Sequence, residues 1–123
     1  MYGGYWDVYD SITVDDLRVF LEFNDFDVSS FKEYLSDKFN KILKIPFSSP
    51  EQFDSISIAL VILGFKRIKK DSGTLKSIVH FLIYHHYMLL YHKVSQDYEL
   101  FQMRSKIANH LGLNLEEYLS PSS

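Results

Sequence analysis

The sequence predicts an all-α protein, a compact orthogonal bundle of five to six helices. Three observations carry that expectation. Apolar residues recur at three- and four-residue intervals along most of the 123 residues. No alternating apolar and polar run of useful length interrupts them, and there is no internal repeat of roughly 20 to 50 residues. Ser, Thr or Asn followed three residues later by an acid or amide recurs as a helix-start signal, because the first side chain caps orphan N–H groups and the second caps in return.

The elements follow in order. Thr13-Val14-Asp15-Asp16 opens a helix that runs to about Phe23. Ser30-Phe31-Lys32-Glu33 opens the next, which must stop before Pro46. Its Phe31, Tyr34, Leu35, Phe39, Ile42 and Leu43 form one face, with Lys32, Asp37, Lys38 and Lys41 away from it. Ser49-Pro50-Glu51-Gln52 opens a third helix, closed by Gly64. Its stretch from Phe53 to Leu63 is apolar nearly all round, which predicts enclosure, although the β-branched run leaves a strand as the alternative. After the turn Asp71-Ser72-Gly73, Thr74 caps a long central helix through Tyr91. Ser95 starts a helix bearing Tyr98, Phe101, Ile107, Ala108 and Leu111 and stopped by Gly112, and Asn114 with Glu117 caps one last turn before Pro121.

This organisation divides into an acidic, aromatic N-terminal segment over 1–12, a single helical domain over 13–119 and a disordered tail over 120–123. Much of residues 1–10 is expected to be loose, with docking of Tyr2, Tyr5, Trp6 and Tyr9 on the bundle or on a partner as the alternative. At 46% hydrophobic residues, one core can form without staples. The absence of cysteine removes disulfides, thiolate metal sites and cysteine nucleophiles and fits a reducing, cytoplasmic setting. Met1 to Asp7 lacks a basic region with an apolar run behind it, so no secretory signal is expected. The most hydrophobic stretch, Leu75 to Tyr91, carries Lys76, His80, His85 and His86 and falls short of the roughly 20 apolar residues of a membrane span.

Charge is uneven. The net value is −3, yet residues 1–27 hold seven acids against Arg18 alone, which leaves the remainder slightly basic. The clearest basic feature is Phe65-Lys66-Arg67-Ile68-Lys69-Lys70, four cations in five residues, with Asp71 the nearby acid. Lysine and arginine neutralise phosphates and release counterions, so Lys66, Arg67, Lys69 and Lys70 are candidate phosphate ligands. Arg104 and Lys106 could extend that surface, with Lys93 and His110 as further neighbours. A solvated loop between two helices is the alternative meaning of the run.

His80, His85, His86 and His92 crowd one helix and invite a metal or proton-transfer reading. Two ligands on one helix normally sit three or four residues apart, and no pair here does. His85 and His92 share a face but lie two turns, roughly 10 Å, apart. No metal or cofactor is expected, and the imidazoles with Tyr84, Tyr87 and Tyr91 are read as hydrogen-bonding tips on apolar bodies. Asp15, Asp16 and Glu22 could suggest paired carboxylates, but capping and helix-dipole roles account for the first two. With no phosphate-cradling Gly-rich loop, GxSxG elbow, HExxH or Ca-loop pattern, the chain is not expected to be an enzyme by itself.

The stretch Phe101-Gln102-Met103-Arg104-Ser105-Lys106-Ile107-Ala108-Asn109-His110-Leu111-Gly112-Leu113-Asn114-Leu115-Glu116-Glu117 resembles the helix, glycine and short acidic-capped helix in the C-terminal domains of primase large subunits. Related helical accessory domains of archaeal-type primases share that style. The resemblance implies a module that contacts template DNA and an initiating nucleotide, accessory to replication or priming, with no polymerase chemistry in this chain. The cluster-binding cysteines of those primase proteins are absent, and Tyr98-Glu99 stands where a basic or histidine-containing motif belongs.

The leading expectation is therefore a non-catalytic helical module that binds nucleic acid or a nucleotide through Lys66, Arg67, Lys69 and Lys70, aided by Arg104 and Lys106. The alternative is a protein interaction module, adaptor or dimerisation, in which apolar helices and the N-terminus form the contact and the acidic leader steers a basic partner. A pocket for a small molecule, lined by the tyrosines and histidines of the long helix, is a third reading.

Overall fold

The structure, a computed structural model, describes residues 5–43, 53–68, 71–91 and 96–116. Within them the chain forms six helices and no strand: α1 (Tyr5–Ser11), α2 (Val14–Phe23), α3 (Val28–Leu43), α4 (Ser55–Arg67), α5 (Ser72–Tyr91) and α6 (Gln96–Leu111). The all-α bundle anticipated from the spacing is what forms, and the β-branched run of α4 is helical. The tail over 120–123 lies outside the described residues.

Helix α5 is the hub, packing against α6, α4, α1 and α2, while α3 closes over α1 and α4. The reason is compositional. Leu75, Ile78, Val79, Leu82 and Ile83 of α5, and Ile58, Leu60, Val61, Ile62 and Phe65 of α4, are all buried. Neither helix has a purely polar side, so each must be covered from several directions. Met103, Ile107 and Ala108 of α6 supply one cover, and Phe31, Leu35 and Phe39 of α3 another.

The described part of the N-terminal segment packs on the bundle, the alternative anticipated for Tyr9. From Tyr5 onward the segment is helical, and Val8 and Ile12 are buried in the same core as the rest. Tyr9 meets His80 edge-on at 5.0 Å, with the Lys76 ammonium 5.6 Å above its ring. Val8, Tyr9 and Ile12 thus pack with the bundle.

Three helix starts differ from expectation, for one physical reason. Helix α2 opens as anticipated: Asp16 N–H donates to Thr13 Oγ1 at 2.9 Å and Thr13 N–H to Asp16 Oδ2 at 3.3 Å. At the other three starts an aspartate takes the capping role, ahead of the expected residue at α3 and α5 and beyond it at α4. Asp27 accepts from Ser30 N–H at 2.7 Å and starts α3 at Val28. Asp54 accepts from Ser57 N–H at 3.0 Å and from its hydroxyl at 2.7 Å, starting α4 at Ser55. Asp71 accepts from Thr74 N–H at 3.1 Å and starts α5 at Ser72. A carboxylate caps as well as a hydroxyl and adds a full charge at the positive end of the helix dipole. The expected start over Ser49 to Gln52 and the expected cap Ser95 fall outside the described residues. Lys32, read as solvent-facing, is instead buried and donates from Nζ to Ser55 Oγ at 2.6 Å.

Gly64 does not end α4, which continues to Arg67. Its neighbours pack so tightly that a side chain there would have to push them aside. A Cβ at that position would lie 3.1 Å from a Leu111 methyl and 3.3 Å from an Ile78 methyl. Gly112 does end α6: with φ +70° it lets Leu113 N–H reach Ala108 C=O at 2.9 Å, while its own N–H reaches Asn109 C=O at 3.1 Å.

Gly64→Val is expected to overpack the α4–α5–α6 junction and destabilise the fold by about 1–3 kcal/mol. Urea denaturation reads this out, and a variant as stable as the parent would show that the junction can open at no cost.

Candidate interaction surfaces

Of the six residues proposed from sequence, four are described, and among these Arg104 stands apart from Lys66 and Arg67. Lys66 and Arg67 lie in the last turn of α4 and are exposed. Lys69 and Lys70 lie outside the described residues. Cations are favoured at a helix C-terminus by the dipole alone, which accounts for part of their placement. The Lys66 ammonium sits 5.1 Å from the ring centroid of Phe26, a residue flanked in sequence by Asp25 and Asp27. Arg18 joins the same corner: Nη1 donates to the Phe65 carbonyl at 3.4 Å, and the guanidinium lies 5.6 Å from the Phe65 ring centroid.

Arg104 is elsewhere. Its Nε donates to Asp54 Oδ2 at 2.8 Å and its Nη2 to Asp54 Oδ1 at 2.5 Å, a bidentate pair at the N-terminus of α4. The two side chains are 22% and 11% exposed. The fork expected to hold a phosphate thus holds a carboxylate of the same chain. It also stands near the opposite end of α4 from Lys66 and Arg67, about 18 Å away at a rise of about 1.5 Å per residue. Burial pushes the Asp54 carboxyl up, but hydrogen bonds from Arg104 and Ser57 outweigh it and hold the group below the usual carboxylate range. Lys106 is exposed, with its ammonium 5.5 Å from the Phe81 ring centroid. Together with Phe81, Asn109 and His110 it borders a shallow recess of about 310 Å³.

The histidines of α5 separate by environment. His85 Nδ1 is 2.6 Å from Glu99 Oε2 of α6, as a hydrogen-bonding tip should be. His86 departs from that expectation: it is buried, stacked on Phe53 at 4.5 Å, and neither ring nitrogen finds a partner among the described residues. Burial lowers its pKa from 6.5 to about 3, so the ring is neutral in the folded protein near pH 7. Among the described residues no group of three His, Asp or Glu side chains could hold a metal ion. No helix there is long and apolar enough to cross a membrane. His92 and Lys93 lie outside the described residues.

A different surface is not apparent from sequence patterning. On α2, Phe23 is 88% exposed and Val19, one turn earlier, 64% exposed. Leu17 and Leu21 on the opposite side are fully buried. The helix thus carries two apolar stripes, one for the core and one for solvent. A signal for it exists, since Val19 and Phe23 are four residues apart and out of phase with Leu17 and Leu21. Tyr98 and Phe101, each 60% exposed, form a smaller pair on α6. A half-open cleft of about 280 Å³ lies between the α1–α2 junction and the start of α5, bordered by Tyr9, Asp10, Asp15, Gly73 and Lys76.

Two outcomes are expected from the buried polar groups. Arg104→Ala leaves the Asp54 carboxylate without its fork and should destabilise the fold by about 2–3 kcal/mol, measured by chemical denaturation. His86 makes stability fall on acidification, because below pH 6.5 the unfolded chain takes up a proton that the folded ring refuses until about pH 3. The slope in that window is about 1.4 kcal/mol per pH unit. His86→Phe, which keeps the stack on Phe53, should flatten the decline in melting temperature between neutral and mildly acid pH. Parallel pH profiles for the two proteins would exclude the buried imidazole as its source.

In comparisons with known proteins, no family model matches the chain, and no curated protein or solved structure matches it either.

Proposed function

We propose that the chain is a non-catalytic helical interaction module that engages a protein partner through the outer face of α2. The observation that carries this reading is the exposure of Phe23, at 88%, stacked one helical turn from Val19, at 64%. Single exposed apolar residues are ordinary, but two in register on one helix make a continuous strip. Burying both would contribute roughly 3–5 kcal/mol to a contact. An amphipathic helix laid along such a strip is a common recognition mode.

A random peptide library displayed on phage and selected against the protein tests the reading without choosing a partner in advance. Selected peptides are expected to bind the parent and to lose at least about tenfold in affinity for Val19→Ser/Phe23→Ser, equivalent to about 1.4 kcal/mol. The double variant should fold with an unchanged melting temperature, because neither side chain supports the core. Peptides that bind both proteins equally would remove the reading.

Exposed Lys66 and Arg67 favour a second reading, in which they and the Lys69 and Lys70 that follow in sequence hold a nucleic acid backbone or a nucleotide and Lys106 adds to it. The resemblance of residues 101–117 to primase accessory domains, and with it a role in replication or priming, belongs to this reading. Engagement of Arg104 by Asp54 counts against it. It requires oligonucleotide binding that weakens steeply with salt and is lost when Lys66, Arg67, Lys69 and Lys70 are changed to Ala. Fluorescence anisotropy at two ionic strengths separates the readings.

A further inference from the structure

The charges that frame the outer face of α2 narrow the chemistry it can accept. At about 100° per residue, Val19 sits at the centre of the solvent side. Asp15 and Asp16 lie one turn before it, and Glu22 and Phe23 one turn after. All five are exposed. Helix α2 offers these acids no base on that side, since its Arg18 is turned toward the Phe65 carbonyl. The apolar strip is therefore bordered by three carboxylates.

Two of the three have local reasons for being there. Asp15 and Asp16 lie in the first turn, where the helix dipole favours an acid, and Asp16 closes the capping box with Thr13. Glu22 has none. It lies in the last turn, where the dipole disfavours negative charge, and that turn carries no base to offset it. An acid at the wrong end of a helix, flanking an exposed apolar strip, becomes favourable once a cation is placed against it.

We propose that this face receives a cationic amphipathic helix of a partner protein, with apolar residues seated on Val19 and Phe23 and lysines or arginines against Asp15, Asp16 and Glu22. The proposal rests on the reading of α2 as the docking face. Charge complementarity selects this occupant over the others. A second copy docked through the same face would set the acids of one copy against those of the other. Nucleic acids and anionic lipid surfaces meet the same repulsion. A helix suits the strip because Val19 and Phe23 form an i, i+4 ridge of the kind that fits between the ridges of another helix. With ten residues, α2 spans about 15 Å and so matches a partner helix of about three turns.

The test uses two fluorescently labelled peptides of about four helical turns, one a leucine–lysine amphipathic helix and the other identical with glutamate for lysine. Binding to the full chain is followed by anisotropy at low and physiological salt. Expected is binding of the lysine peptide alone, weakened at higher salt and weakened at least about tenfold by Asp15→Asn/Glu22→Lys. The single variant Glu22→Lys should bind less well while melting at a higher temperature than the parent, a combination that a purely structural role for Glu22 would not produce. Equal binding of both peptides, or an unchanged affinity in Asp15→Asn/Glu22→Lys, overturns the cationic partner while leaving the docking face intact, provided Val19→Ser/Phe23→Ser still abolishes binding. If that apolar pair makes no difference, the docking face itself falls. Absence of binding by both peptides, or light scattering that shows a parent dimer dissociated by Val19→Ser/Phe23→Ser, also overturns the proposal.

Discussion

A helix that is apolar on nearly every side can be kept from water only if other helices close on it from several directions, and Gly64 marks one tight approach of that kind. Leu111 of α6 and Ile78 of α5 come within 3.1 and 3.3 Å of where its side chain would begin. That proximity lets α4 and α5 bury their long apolar surfaces together and lets α6 lie across both. The rest of the core follows from it, including the placement of α3 on α4 and of α1 on α5. The surfaces are what remains once those faces are used, and on α2 an apolar stripe is left over.

Much of this architecture is legible in the sequence because spacing reports burial directly. Five helices anticipated from the pattern are present in the expected order, and Thr13 and Gly112 end their helices as their chemistry dictates. The caps are the recurrent exception. Serine or threonine is the expected residue at the start of α3 and α5, yet Asp27 and Asp71 hold the positions immediately before those helices, and Asp54 does so for α4. Gly64 is ambiguous for a related reason. A glycine in an apolar helix can mark an end or a crossing, and only the neighbour brought in from residue 111 distinguishes them. The helix before Thr13 escapes the pattern because a short aromatic segment acquires its reason to coil from Val8 and Ile12 meeting a core that sequence cannot locate.

The surfaces are less legible, since a surface is defined by what folding brings together or keeps apart. The basic run from Lys66 to Lys70 is conspicuous in sequence, but neither the contact of Lys66 with Phe26 nor the direction of Arg18 can be read from it. Arg104 and Asp54 are fifty residues apart in the chain and meet as a bidentate pair. Conversely, Val19 and Phe23 look like two more core residues until Leu17 and Leu21 are seen to occupy the side that faces α5.

Asp54 has a wider consequence. One carboxylate there stops the N-terminus of α4 from fraying, receives a serine hydroxyl and anchors α6 through a guanidinium. No other side chain does all three: asparagine keeps the first and forfeits the charge, while glutamate keeps the charge on an arm too long for the cap. A change at either position is accordingly felt at the other: without the guanidinium the aspartate keeps only its serine, and without the aspartate the guanidinium is left partly buried and uncompensated. One ion pair thus couples the start of one helix to the seating of another, so that loosening the first would unmoor the second.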